Sequence, residues 1–170
     1  MRDLDPTRID ITVDPREQRM RGITRHGRME FDVPFITQIE GNLWMGGCDD
    51  YLVLPTHIKH LVSLAPWWRY EIDHQMKSEL YHTMYDSEDR PPTDELRGLV
   101  EHVNACVADA PTLVHCQAGL NRSSMLVTMA LASAGGYSTA DAIALLREKR
   151  SPAVLCNRTF ENLLLEGDWR

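Results

Sequence analysis

Apolar and polar positions alternate through residues 35–45 on either side of Glu40-Gly41-Asn42, which predicts two short strands, 35–39 and 43–45, joined by a turn. Residues 58–64 and 80–85 are further strands by the same reading. A short, β-branched run at 112–114 follows the breaker Pro111 and reads as a buried strand. Elsewhere the period lengthens. Leu96, Leu99, Val100, Val103 and Val107 share one helical face behind Thr93, a residue able to cap the helix. Residues 123–134 are apolar nearly all round, as a helix buried on every side requires, and Gly135-Gly136 ends it. Ser138 and Asp141 resemble a capping box before a helix carrying Ile143, Leu145 and Leu146. That helix ends in Arg147, Lys149 and Arg150, where its dipole favours cations. Asn157 can cap a last helix presenting Phe160, Leu163 and Leu164, stopped by Gly167. Residues 1–34 are polar and Arg-rich and show no clear period.

Composition narrows the setting. The 170 residues fit one domain with a sizeable core. No apolar run is long enough for a membrane span, and the charged opening residues predict no secretory leader. The four cysteines are widely spaced, without Cys-x-x-Cys or a His/Cys ligand pattern, so a reducing cytoplasm is the simpler compartment and no metal is expected. A net charge of −7 disfavours generic affinity for nucleic acid or membranes.

The chemistry concentrates between the 112–114 strand and the buried helix, in His115-Cys116-Gln117-Ala118-Gly119-Leu120-Asn121-Arg122-Ser123. A loop entering a helix N-terminus points backbone N–H groups and the positive end of the dipole at one spot, which suits a phosphate-like anion. The backbone of Gln117, Ala118, Gly119, Leu120 and Asn121 would line that spot, and Gly119 would permit the sharp turn. Arg122 adds a planar fork matching two phosphate oxygens. The same field should favour the Cys116 thiolate, a nucleophile able to attack phosphorus. Ser123 can donate a hydrogen bond to that sulfur when it leaves, and His115 is read as orienting the loop rather than taking a proton.

Residues 115–123 resemble the signature of the protein-tyrosine phosphatases, and "HCQAGLNRSS" looks most like the dual-specificity branch. The likeness extends to "ITQIEGNLWMGG" at 36–47, "IKHLVSLA" at 58–65 and "RSPAVLCNRTF" at 150–160, covering roughly residues 35–166. It implies an α/β domain with a central mixed β-sheet flanked by α-helices on both faces, no metal and no other cofactor. The chain then divides into an Arg-rich extension, 1–34, and a catalytic domain of dual-specificity type, 35–170.

The resemblance also implies a general acid on the loop after the strand that precedes the long helix. Here that loop is Tyr85-Asp86-Ser87-Glu88-Asp89-Arg90-Pro91-Pro92. Asp86 matches the dual-specificity pattern best; Asp89 competes and Glu88 is third. Asn157 matches a family Asn that hydrogen-bonds the phosphate loop, alongside its role as a cap. Arg150 reads either as a structural Arg paired with an acid or as a helix-end charge. Trp67 and Trp68 either wall a cleft or pack, and Cys48, Cys106 and Cys156 read as small buried hydrophobes. The Arg-rich segment 16–28 is a solvated extension or a patch steering phosphorylated substrate. His26 and the remaining histidines share no spacing and receive no role.

The expected substrate is a phosphorylated protein or peptide bearing phosphotyrosine, with phosphoserine or phosphothreonine as further substrates. The alternatives are an inositide, against which the absence of Lys in the loop speaks, and an RNA 5′ phosphate, faintly echoed by Asn121-Arg122. A phosphoprotein-binding module without turnover and a sulfur- or arsenate-handling enzyme are further readings; Cys116 and Arg122 together speak against the former.

Overall fold

The computed structural model describes residues 14–170; the first thirteen residues of the expected extension lie outside that range. Strands β3 (Ile36–Glu40), β4 (Leu43–Gly46), β5 (His60–Ser63), β6 (Ser78–Tyr81) and β7 (Thr112–His115) form one sheet in the order β3-β4-β7-β5-β6. Only β3 is antiparallel to its neighbour, so the sheet is mixed. The central strands β5 and β7 are buried at every residue, as strands covered on both faces must be, whereas β6 at the edge is half-exposed.

Side chains on the central strands alternate between two cores. Val62 and Val114 join the larger one with residues of α1 (Thr93–Asp109), α2 (Arg122–Ser133), α3 (Thr139–Lys149) and α4 (Arg158–Glu166). Leu61 and Leu113 join the smaller one with Phe35, Leu54, Ile58 and Tyr70, none of them helical. The expectation of helices on both faces is therefore corrected. Asp49-Asp50 and Pro55 break the β4–β5 connection into turns, and that connection covers the second face as irregular chain. Helix α2 packs against the other three helices and is buried all round through Ala132.

Most boundaries shift by one or two residues, and two of the differences bear on the site. Strand β6 ends at Tyr81 rather than 85 because β5 ends at Ser63, and beyond it only the N–H groups of His82 and Met84 still reach Ser63 O and Leu64 O. Thr93 lies inside α1; Pro92 takes the cap position with extended backbone and no side-chain cap. Ser138 and Asn157 do cap, accepting from the backbone N–H of Asp141 and Thr159.

Within the extension, β1 (Arg19–Ile23) and β2 (Glu30–Pro34) pair as an antiparallel hairpin whose turn passes through Gly27 and Arg28, both at positive φ. Arg19 and Arg21 both pair with Asp32 on the facing strand, so one carboxylate balances half of their charge within the hairpin. Phe35 N–H donates to Gln18 O at 3.0 Å and Ile36 N–H to Pro15 O at 3.0 Å, tying the hairpin's base to the main sheet. Among the described residues, no helix is long and apolar enough to cross a membrane.

Candidate active site

Strand β7 delivers Cys116 to the C-terminal edge of the sheet, and α2 begins six residues later. The turn between them depends on Gly119 at φ 66°, where a Cβ would stand 2.4 Å from the Gly46 carbonyl carbon. No side chain fits there, so only glycine lets the loop close on β4. Gly119 N–H points at Cys116 Sγ at 3.2 Å, and Ser123 Oγ lies 3.4 Å from the same sulfur. Burial alone would push the Cys116 thiol up; Arg122, the Ser123 hydroxyl and N–H, and Gly119 N–H outweigh it and leave its pKa below the ordinary value.

Arg122 Nη1 donates to Met84 O at 3.0 Å, while its buried Nε has no partner among the described residues. That donor is therefore available to an oxyanion. His115 is buried and pushed down to about 4, first by burial, so it is neutral at physiological pH. Its Nδ1–H donates to Cys116 O at 3.1 Å and its ring meets Tyr70 edge-on, which fixes the loop's exit from β7. From behind, Arg150 donates to Gly119 O, Ala118 O, Pro34 O, Phe35 O and Thr37 Oγ1 at 2.7–3.3 Å. Among the described residues it pairs with no acid, contrary to one of its two readings. Burial lowers it only to about 10, so it remains a cation solvated by carbonyls.

Asp86 sits over this loop with both carboxylate oxygens engaged. Oδ2 accepts from Asn121 Nδ2 at 2.9 Å, and Oδ1 from Asn157 Nδ2 at 2.7 Å. His26 Nε2 lies 3.2 Å from Oδ1 and 3.3 Å from the Asp86 backbone O. Asn121 Oδ1 takes the Asn157 N–H at 3.0 Å, so one asparagine joins the phosphate loop, the acid loop and the start of α4. Cys116, Arg122 and Asp86 line one cavity of about 920 Å³ with Gln117, Ala118 and Leu120. The arrangement can hold a dianion at a helix N-terminus, present a thiolate to it, and exchange a proton at its mouth.

The profile of the dual specificity phosphatase catalytic domain matches residues 53–168. The chain belongs to that family. It is accordingly a phosphatase domain of the protein-tyrosine and dual-specificity class. A 45-residue stretch is 56% identical to "Protein tyrosine phosphatase PRL-1" of Leishmania major and spans 26% of this chain and 26% of that protein. The fold is shared with human DUSP28, at TM-score 0.66 and 19% identity over 76% of this chain and 93% of the other. It is shared also with the Orf virus tyrosine phosphatase OH1, at TM-score 0.60 and 21% identity over 77% and 84%.

Within this phosphatase domain the structure brings together nearly every residue singled out from sequence. Asp89 and Glu88 are exposed; Glu88 reaches the cavity wall and Asp89 does not. The Asn121 side chain turns to Asp86 rather than into the loop. Asn157 both caps α4 and ties down the acid loop. Trp67 stacks on Tyr85 with centroids 5.9 Å apart and lies over Arg122, while Trp68 packs into the core. What sequence reasoning missed is the near wall, formed by Ile23, Thr24, Arg25, His26 and Phe31 of the hairpin. The signal was present: Phe31, Val33 and Phe35 alternate, and His26-Gly27 is a turn candidate.

Proposed function

We propose that this domain hydrolyses phosphate monoesters of tyrosine in a protein or peptide, and of serine and threonine, through a phosphocysteine on Cys116. The observation that carries the reading is the Cys116 sulfur, held by Gly119 N–H and Ser123 Oγ beside Arg122 at the floor of a cavity that Asp86 overhangs. Cys116 Sγ⁻ attacks phosphorus as the P–O bond to the leaving group breaks, and protonated Asp86 gives its proton to the departing oxygen. Water then attacks the phosphocysteine, Asp86 takes its proton, and the S–P bond breaks to restore the thiolate, which the Ser123 hydroxyl supports. The loop N–H groups and Arg122 hold the three non-bridging oxygens throughout. A tyrosyl ring suits the mouth, where Trp67, Tyr85 and Ile23 are 49%, 69% and 64% exposed and frame the opening. A reducing compartment such as the cytoplasm suits a nucleophilic thiol.

The test is para-nitrophenyl phosphate hydrolysis in EDTA by wild type and Cys116→Ser, with vanadate as inhibitor. Turnover that resists the chelator, is blocked by vanadate and falls by about 10⁴-fold or more in the variant is expected. Turnover surviving in Cys116→Ser would overturn the reading.

A further inference from the structure

We propose that His26, at the tip of the N-terminal hairpin, is a positioning residue for Asp86 that holds the acid loop by its backbone carbonyl. The inference rests on Asp86 being the general acid. Asn121 Nδ2 and Asn157 Nδ2 hold the two carboxylate oxygens of Asp86, at 2.9 Å and 2.7 Å, and His26 Nε2 holds the residue's backbone, 3.3 Å from its carbonyl oxygen. Both groups within reach of His26 Nε2, Oδ1 and the Asp86 carbonyl, are acceptors, so Nε2 bears the hydrogen. That N–H grips the backbone of Asp86, limiting movement of the loop that carries the carboxyl.

The hairpin is built to hold that ring in place. Thr24 Oγ1 donates to the His26 carbonyl and accepts the Met29 N–H at 2.9 Å, while Thr24 N–H donates to Met29 O at 2.8 Å. At the other end, Arg150 bonds both Pro34 O and the phosphate-loop carbonyls of Ala118 and Gly119. The hairpin and the loop under Cys116 therefore share one anchor, and His26 closes the circuit across the cavity mouth. Residues 60 positions apart in sequence are fixed to each other at the proton-transfer site.

The experiment compares kcat/KM on para-nitrophenyl phosphate, a good leaving group, with phenyl phosphate, a poor one that needs protonation. It uses wild type, His26→Ala, His26→Gln, Asp86→Asn and the double variant His26→Ala/Asp86→Asn, each checked for folding by circular dichroism. His26→Ala should raise the ratio of the two rates about tenfold, because misplacing the acid penalises only the step that needs it. His26→Gln, whose amide retains an N–H, should recover most of the wild-type ratio. His26→Ala should not change the ratio further on the Asp86→Asn background. Equal losses on both substrates in His26→Ala, or an additive effect in the double variant, would overturn the inference while leaving Asp86 as the acid. If Asp86→Asn itself leaves the ratio unchanged, the general-acid reading fails and the inference with it.

Discussion

The floor and the mouth of the cavity are held by different kinds of structure. The floor is local and buried: residues 115–123 run from a fully covered strand into a fully covered helix, braced by Arg150 and by a glycine no other residue can replace. The mouth is assembled from afar. His26, Trp67, Asp86 and Asn157 come from four separate segments, joined by hydrogen bonds of their side chains and one aromatic stack. The lesson is a division of labour. On the proposed reading, anion binding and the nucleophile depend on the core and should fail together with it. Proton delivery and substrate fit depend on the mouth and should be separable from stability.

The sharpest way to break this contrast is within the floor. Arg122→Lys keeps the charge and loses the planar fork, and kcat/KM on every aryl phosphate should fall about 10²- to 10³-fold. A mild loss, or one confined to poor leaving groups, would place Arg122 with the mouth instead. Arg150→Met should come next. It strands the carbonyls of Gly119, Ala118, Pro34 and Phe35, at a cost of about 3 kcal/mol. Thermal unfolding should then show a Tm lower by about 10 °C, with activity lost alike on all substrates. An unchanged Tm would mean that the floor does not depend on this brace.

Smaller effects sharpen the picture. The thiolate fraction of Cys116 rises with pH, so its alkylation by iodoacetamide should accelerate with pH and reach a plateau below the range of an ordinary thiol. Ser123→Ala removes one group that favours the thiolate, so the inflection should move upward, with slower alkylation below it and the same plateau above. At the mouth, Trp67→Ala should raise KM for a phosphotyrosine peptide by several-fold, in line with the roughly 0.5–1.5 kcal/mol of an aromatic contact, and leave Tm nearly unchanged. A large fall in Tm would erase the distinction between floor and mouth.

The same contrast explains what could be read from the amino-acid order. The floor was legible because its chemistry is contiguous: nucleophile, turn glycine and Arg fall within nine residues between two recognisable apolar runs. The family resemblance pointed to Asp86 ahead of Asp89 and Glu88 on the loop before the long helix, even though β6 stops four residues short of the expected end. The hydrophobic period gave α1 to α4 nearly to the residue, because each buries a stripe or, in α2, its whole surface. The hairpin was only faintly legible. Its strands are short and mostly exposed, its turn uses His26-Gly27-Arg28 rather than an Asn-Gly pair, and its partner Asp86 lies far along the chain. The covering of the second sheet face was missed for a related reason: the irregular β4–β5 and β5–β6 connections can bury Leu54, Ile58 and Tyr70 without displaying any period.

The central claim, that the floor works by covalent transfer to Cys116, is most directly tested by acid-quenching wild-type enzyme during turnover of an aryl phosphate and mapping the bound phosphate by mass spectrometry. The account predicts one phosphoryl group on the peptide containing Cys116, appearing within the first turnover and lost when substrate is exhausted. Steady turnover with no phosphoryl group on Cys116, or with the group on another residue, would contradict it.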